Sequence, residues 1–203
     1  MSFDIKRRNK DILHFVYRDI EEMSLDFLRF GEYECSKEYV DGMISREDCL
    51  RKFNDIGYKC YGFGVRKKTF EDFREFNDLN ESEKGILDIL KSEDFFYVIS
   101  TANNSLPTTE FHELAHAFYE LDNEYRAGVG DVIARLSSFD TGILFDYLKK
   151  RGYGEEVFTD EGQAHLLANF RDLYWKMSEN ASKENKQLES FFVDCSSRLG
   201  LVD

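Results

Sequence analysis

Residues 95–119 read FFYVISTANNSLPTTEFHELAHAFY, and this stretch decides the fold that the sequence predicts. Its first seven residues, FFYVIST, are mostly aromatic or β-branched, which favours a β-strand over 95–101. The polar residues after them, together with Pro107, are typical of a turn. Beyond the turn, apolar residues recur with the spacing of one helical face, at Phe111, Leu114, Ala115 and Phe118. The stretch therefore predicts a strand, a turn and then a helix near 108–125.

The predicted helix contains a His-Glu-x-x-His motif, formed by His112, Glu113 and His116. Residues four apart lie one above the other on a helix of about 3.6 residues per turn, so both imidazoles can point at one metal ion. Glu113 is then displaced to the side of that ion. Neutral imidazole nitrogens are ligands that zinc prefers, and a catalytic zinc site keeps one position open for water. The motif predicts a Zn²⁺ site, and two histidines without metal on an amphipathic helix are the alternative.

The composition excludes several classes of protein. Of 203 residues, 42% are hydrophobic and 15% are aromatic, which is more than a disordered chain contains. The 40 acidic and 27 basic residues give a net charge of −13, which disfavours binding to nucleic acid. No stretch approaches the ~20 apolar residues of a membrane span, and the N-terminus lacks the apolar segment of a signal peptide. These features predict a cytoplasmic protein that binds neither nucleic acid nor membranes.

The rest of the sequence predicts one more strand and several helices. Before the quoted stretch we expect a short helix from Ser45 to about Asp55, a strand over 58–65, and a helix capped by Asn80 or Ser82. The region 11–30 shows no clear periodicity. After Pro107 the chain is almost entirely helical, with further helices predicted near 129–150, 160–178 and 183–199. Strands that precede helices in this way indicate an α+β fold.

The residues around the motif resemble those of the zincin metallopeptidases, whose active-site helix carries HExxH. Thr109, three residues before the first histidine, fits the fuller pattern of that family, although the charged Glu110 departs from it. The pattern is also met by four uncharged residues, Leu114, Ala115, Ala117 and Phe118. The resemblance implies a zincin-like metallopeptidase domain, with a small sheet, an HExxH active-site helix and a mainly helical C-terminal half. It also implies that FFYVIST is the edge strand that pairs with an extended substrate.

The sequence predicts a single domain over 1–203, because no repeat, low-complexity run or Pro/Gly/Ser-rich linker divides it. The resemblance places the zincin catalytic core in 91–180 and a C-terminal helix in 181–203. The role of 1–90 and the oligomeric state stay open.

Zincin subgroups differ in the third metal ligand. A metzincin would need Gly at 119 and His at 122, where this chain has Tyr119 and Asp122. The metzincin pattern is therefore not met, unless Asp122 itself binds the metal. A gluzincin takes a glutamate from a later helix, and the next glutamates after Glu124 are Glu155, Glu156 and Glu161.

Glu161 lies in TDEGQAHLL, residues 159–167. This segment resembles the ligand helix of compact gluzincins such as the ImmA/IrrE-like peptidases. The small Ala164 would let that helix approach the HExxH helix, and Thr159 or Asp160 can cap its start. One helix, 129–150, is expected between the two. The resemblance thus implies Glu161 as the third ligand, with Asp122, Glu155 and Glu156 as the alternatives. Glu161 as an ordinary acid in the first turn of a helix, favoured there by the helix dipole, is a further alternative.

His165 lies four residues after Glu161 and shares its helical face, so we expect it to face the same space. It is a candidate catalytic residue that would donate a hydrogen bond to a developing oxyanion, and Tyr153 is a weaker candidate for that role. A buried structural histidine is the alternative. Glu120 is a candidate for orienting an imidazole, or else a solvated helix acid. The isolated His14 is expected to be structural.

Together these residues predict a zinc-dependent metallopeptidase that acts on a peptide or protein substrate. His112, His116 and Glu161 would bind Zn²⁺, and Glu113 would act as the general base. The alternative is a non-catalytic zincin-fold protein that keeps a zinc site for binding or regulation. A closed site with four protein ligands would favour that alternative.

Overall fold

A four-stranded sheet organises the N-terminal part of the chain, in the computed structural model that describes residues 3–35, 45, 47, 48, 51, 62–106 and 108–201. Its strands are β1 (Phe3–Arg7), β2 (Ile12–Tyr17), β3 (Gly62–Arg66) and β4 (Tyr97–Ala102), in the spatial order β1-β2-β4-β3. β2 and β4 run parallel, whereas the two outer pairs are antiparallel. The strand predicted from FFYVIST is thus confirmed, with its start two residues later than expected.

β4 is an inner strand of this sheet. Tyr97 to Thr101 pair with β2 on one side and with β3 on the other, and all six residues of β4 are buried. The interpretation of FFYVIST as an edge strand is therefore wrong, because both of its sides are already paired with neighbouring strands. A short continuous apolar run is what a strand covered on both faces looks like, and it carries no information about which strands lie beside it.

Within residues 3–35 and 62–106, three helices accompany the sheet: α1 (Ile20–Cys35), α2 (Lys67–Phe73) and α3 (Glu81–Lys91). α3 begins as predicted, since the side chain of Asn80 accepts a hydrogen bond from the Glu83 backbone and Glu83 reaches back to the Asn80 backbone. The predicted strand over 58–65 appears as β3, with its first residues outside the described part of the chain. The helix predicted from Ser45 to Asp55 also lies largely outside the described residues.

The core of this part of the chain is aromatic. Phe27 of α1 packs against rings of two strands and one helix. The centroid distances are 5.6 Å to Phe15 of β2, 6.1 Å to Phe63 of β3 and 6.5 Å to Phe70 of α2. His14, expected to be structural, is buried in β2, where its Nε2 lies 2.7 Å from Thr101 Oγ1.

The C-terminal part of the chain is helical. Its helices are α4 (Thr109–Leu121), α5 (Asn123–Arg135), α6 (Ser138–Lys150), α7 (Phe158–Tyr174) and α8 (Glu179–Leu199), with one 3₁₀ turn at Glu155–Val157. The described chain is thus α+β, with a small mixed sheet and mostly helical content.

Two helix predictions need correction. The single helix expected over 129–150 is wrong: Leu136 has a non-helical backbone with ψ 142°, and Ser137 caps a new helix by accepting a hydrogen bond from the Asp140 backbone. The helix predicted to reach residue 125 ends at Leu121 instead. There Asp122 takes an extended conformation and caps α5 by accepting from the Tyr125 backbone.

The chain divides into two compact units, Met1–Glu110 and Phe111–Asp203. His112, Glu113, His116, Glu161 and His165 all belong to the second unit. The prediction of one domain over 1–203, with a core in 91–180, stays a prediction. Among the described helices, none combines the length and the apolar character that crossing a membrane requires.

Candidate metal centre

α4 places the two histidines of the motif one turn apart on the same side of the helix. His112 Nε2 lies 3.1 Å from His116 Nε2, so the same nitrogen of each ring faces one point. Leu114, Ala115 and Phe118 are buried as the helical periodicity predicts. Phe111 departs from that prediction, because 54% of its surface is exposed.

α7 brings a carboxylate to the same point. Glu161 Oε2 lies 3.8 Å from His112 Nε2 and 3.7 Å from His116 Nε2. This oxygen is buried and accepts no hydrogen bond from the described residues. A buried carboxylate oxygen without a donor is costly, and a cation between the three atoms would remove that cost. Within the described part of the chain, His112, His116 and Glu161 form the one group of three ligand side chains that could hold a metal ion.

The size of this triangle fits zinc. The three distances place the point equidistant from the three atoms about 2.1 Å from each of them. Zinc binds imidazole nitrogen at about 2.0–2.1 Å and carboxylate oxygen at about 2.0–2.2 Å. Two histidines and one carboxylate are also a donor set that zinc uses in catalytic sites. The residues present therefore fit a Zn²⁺ ion.

The ring of His116 is fixed from behind by Asp160. His116 Nδ1 donates a hydrogen bond to Asp160 Oδ1 over 2.9 Å, which leaves Nε2 to face His112 and Glu161. The expectation that Thr159 or Asp160 caps α7 is wrong, because α7 already begins at Phe158 and its N-cap, Val157, makes no side-chain cap. Asp160 lies inside the first turn and is free to contact the histidine.

Asp160 is itself held by the buried side chain of Gln163, which a second buried side chain, Tyr125, contacts in turn. Gln163 donates from Nε2 to Asp160 Oδ1 over 3.1 Å, and Tyr125 of α5 donates from its hydroxyl to Gln163 Oε1 over 2.6 Å. Gln163 is fully buried and Tyr125 nearly so. Sequence reasoning missed the contact of Asp160 with His116 and the roles of Gln163 and Tyr125. The adjacency of Asp160 to Glu161 and the one-turn spacing from Asp160 to Gln163 were available as signals.

Glu113 is buried next to the two histidines. Burial raises the pKa of its carboxyl to about 8, and the carboxylates of Glu161 and Asp160 act in the same direction against the opposing effect of His116. Burial likewise raises the pKa of Glu161, while His116 and a hydrogen bond from Tyr153 oppose that rise.

The two histidines of the motif have opposite electrostatic surroundings. Burial disfavours the charged form of His116, but the carboxylates of Asp160 and Glu161 outweigh burial and raise the pKa of His116 to about 10. Burial lowers the pKa of His112 well below its usual value, and His116 and His165 lower it further. Metal-free, the centre thus holds a proton on His116 and a neutral imidazole at His112.

His165 lies beside the triangle, as its position four residues after Glu161 predicts. Its Nε2 is 3.9 Å from Glu161 Oε2, and its ring centroid is 4.7 Å from that of His112. Burial, followed by the positive charge of Arg151, lowers the pKa of His165 to about 3, so the ring is neutral at physiological pH. The ring of Tyr147 packs against it edge-on at 5.2 Å.

The alternative ligands lie elsewhere. Asp122 caps α5 and accepts hydrogen bonds from Arg198 at 3.0 and 2.8 Å. Glu155 is exposed and pairs with Lys149 at 3.0 Å, and Glu156 is exposed as well. Glu120 does not orient an imidazole: it is exposed, and its carboxylate is 3.9 Å from Arg126. The structure thus gathers only Glu161, among the four predicted candidates, with the two histidines.

Comparisons of the chain with family models, with curated proteins and with solved structures find no match. What the structure itself defines is an α+β protein with a candidate metal centre built from two neighbouring turns of α4 and the first turn of α7.

Proposed function

We propose that this chain is a zinc-dependent metallopeptidase with a zincin-like fold, of the compact gluzincin type. One observation carries the proposal: His112 Nε2, His116 Nε2 and a buried, unbonded carboxylate oxygen of Glu161 converge within 4 Å of one another, with the buried Glu113 next to them. The resemblance of the motif and of the Glu161 segment to zincins adds to that observation.

His112, His116 and Glu161 would hold the Zn²⁺ ion. When bound, Zn²⁺ lowers the pKa of a coordinated water from 15.7 to about 7 and polarises the carbonyl of a scissile bond. Three protein ligands would leave a further coordination position open, as a catalytic zinc site requires. Asp160 keeps His116 in the tautomer whose Nε2 carries no proton and can act as a ligand.

Glu113 would act as the general base. Its carboxylate accepts a proton from the attacking water and returns it to the leaving amine. In the metal-free protein, burial raises the pKa of Glu113 to about 8, so its carboxylate is a stronger base than that of an exposed glutamate. Glutamates are rarely buried because burial disfavours their charge, so the burial of Glu113 indicates a catalytic or structural role.

His165 would donate a hydrogen bond to the oxyanion that develops on the substrate carbonyl. Its ring is neutral, so one ring nitrogen carries a proton to donate. Tyr153 is a second donor near the centre, although its hydroxyl is engaged with the Glu161 carboxylate. The substrate would be a peptide or a protein, held by surfaces other than the backbone of β4, whose two sides are paired.

A second candidate function is zinc binding without turnover, in a protein that regulates or recognises another molecule. The position of His165 favours it, because Nε2 of that ring is 3.9 Å from Glu161 Oε2 and could become a fourth ligand. Such a site would be closed and would hold no water.

The experiment compares the wild-type chain with Glu113→Gln, with Glu120→Gln as a matched control that changes an exposed acid on the same helix. Zinc content is measured by mass spectrometry of the metal, and cleavage by mass spectrometry of a mixed-sequence peptide library. We expect all three proteins to hold one zinc per chain, and only Glu113→Gln to lose turnover by about 10²–10⁴-fold. Full activity of Glu113→Gln would refute the mechanism. A zinc-loaded wild type that cuts no peptide would support zinc binding without turnover.

A further inference from the structure

A cleft of about 440 Å³ lies in the second unit. Most of its wall is one stripe of α6 formed by Ile143, Asp146, Tyr147 and Lys150, which continues into Arg151 directly after the helix. The opposite wall comes from the end of α7, with Leu173, and from Lys176 just beyond it. The volume lies in the range of clefts that bind small molecules or a few residues of a peptide.

The cleft is positively charged in a chain that is strongly acidic. Three cations line it, Lys150, Arg151 and Lys176, against the single carboxylate of Asp146, while the whole chain carries a net charge of −13. Within the described ranges, none of the three cations forms an ion pair with a carboxylate. Lys149, by contrast, turns away to pair with Glu155 at 3.0 Å. The partial negative charge at the end of α6 favours lysine there, but it does not explain why three cations share one concave surface.

The cleft and the metal centre share a wall. The guanidinium of Arg151 stacks on the ring of Tyr147 at 3.7 Å from its centroid. The ring of His165 stands edge-on to Tyr147 at 5.2 Å and lies 4.7 Å from the ring of His112. One aromatic side chain therefore separates the cations of the cleft from the histidine that faces the triangle.

We propose that this cleft binds a carboxylate of the peptide substrate and so makes the chain selective for acidic peptides. The substrate role rests on the proposed peptidase function, whereas the binding of a carboxylate does not depend on turnover. Arg151 offers a planar fork of donors already oriented by its stack on Tyr147, and two lysines supply additional charge. The carboxylate can come from an Asp or Glu side chain or from the free C-terminus of the peptide.

Binding is tested with three dye-labelled peptides of eight residues: a neutral peptide with an amidated end, the same peptide with a free C-terminal carboxylate, and an amidated peptide with two Glu residues. Fluorescence anisotropy is measured with the full, zinc-loaded chain in a Glu113→Gln background, so that no peptide is cut. Lys150→Glu combined with Lys176→Glu reverses the charge of the cleft. Lys183→Glu combined with Lys186→Glu, on exposed positions of α8, changes the net charge equally outside it.

We expect at least one carboxylate peptide to bind about tenfold more tightly than the neutral one, with a preference that falls as salt rises. The cleft double variant should lose that preference, and the α8 double variant should keep it. The Glu-containing and free-terminus peptides identify which source of carboxylate is bound. Equal binding of all three peptides, or the same loss in both double variants, would overturn the proposal.

Cleavage separates this proposal from the proposed function. The wild type is incubated with a mixed-sequence peptide library. Cuts at a fixed spacing from Asp, Glu or the C-terminus support both the peptidase function and the substrate role of the cleft. Cuts without acidic preference leave the peptidase standing and overturn the substrate role of the cleft. Carboxylate binding without any cut overturns the peptidase and leaves the cleft as a binding site.

Discussion

Asp160 Oδ1 accepts a hydrogen bond from His116 Nδ1 over 2.9 Å, in the turn of α7 that also carries Glu161. Two consecutive residues thus act on one histidine from opposite sides, since Glu161 Oε2 lies 3.7 Å from Nε2 of the same ring. Because the first residue sets the tautomer and the second completes the candidate metal centre, the register of α7 fixes both at once.

Replacing Asp160 should weaken zinc binding without removing a ligand. Asp160→Asn leaves His116 with a poorer acceptor at Nδ1, so we expect zinc affinity to fall about 10–100-fold. Competition with a chromophoric chelator measures this affinity. Glu120→Gln, an exposed acid of α4, serves as the control and should bind zinc like the wild type. If Asp160→Asn bound zinc with unchanged affinity, the orienting role of this carboxylate would be refuted.

Tyr125 should act on the same histidine through two intervening side chains. Tyr125→Phe removes the donor to the buried Gln163 Oε1, which should cost about 1–2 kcal/mol of the free energy of unfolding. Zinc affinity should fall a few-fold, by less than in Asp160→Asn, because Gln163 still donates to Asp160. Urea denaturation and the chelator competition measure the two effects. Tyr33→Phe, which removes a hydroxyl of the first unit that donates to Asp72, is the control. An equal loss of zinc affinity in both variants would contradict the effect of Tyr125 on His116 through Gln163 and Asp160.

Zinc binding should release protons. The carboxylates around His116 raise its pKa to about 10, so this ring is protonated at neutral pH in the metal-free protein and must lose its proton to become a ligand. Burial also raises the pKa of Glu161, which acts in the same direction at acidic pH. Zinc affinity should therefore increase with pH between about 6 and 9. Calorimetry in two buffers of different ionisation enthalpy counts the protons, and a pH-independent affinity would contradict the assignment.

The first unit offers a test of stability that is separate from the metal centre. Arg29 donates from Nη1 to both carboxylate oxygens of Glu83, at 3.1 and 2.9 Å, and both side chains are almost fully buried. Glu83→Gln leaves a buried guanidinium without its full counter-charge, which should cost about 3 kcal/mol of the free energy of unfolding. Asp78 also contacts Arg29, but it is half exposed, so Asp78→Asn should cost less than about 1 kcal/mol. Similar losses in both variants in urea denaturation would contradict this reading.

The local elements of the fold could be predicted because they depend on neighbouring residues. The aromatic and β-branched residues of FFYVIST are sufficient to predict a strand. The capping box, in which Asn80 and Glu83 hydrogen-bond each other's backbone, is sufficient to predict the start of a helix. The place of β4 within the sheet could not be predicted. Its parallel partner, β2, lies 85 residues earlier, in a region that shows no clear periodicity, and pairing between distant strands leaves no local pattern.

In the candidate site, too, the local spacing could be predicted and the contacts between distant residues could not. The four-residue spacing of His112 and His116 guarantees that the rings share a face once the helix forms. The assignment of Glu161 as a ligand depends on a resemblance to other sequences, and the residues around Asp160 predict only that it caps a helix. Its actual contact depends on α7 starting at Phe158, two residues earlier than predicted, which turns Asp160 towards His116. A helix start that lacks a side-chain cap leaves no clear signal in the sequence.

The central claim is that His112, His116 and Glu161 hold one zinc ion with a position left open. Anomalous diffraction at the zinc absorption edge, from crystals of the full chain grown with zinc, tests it most directly. We predict a single strong anomalous peak within zinc-bonding distance of Nε2 of both histidines and of the Glu161 carboxylate, with no fourth protein ligand. The absence of a peak at this position, or a peak closed by the ring of His165, would contradict the account.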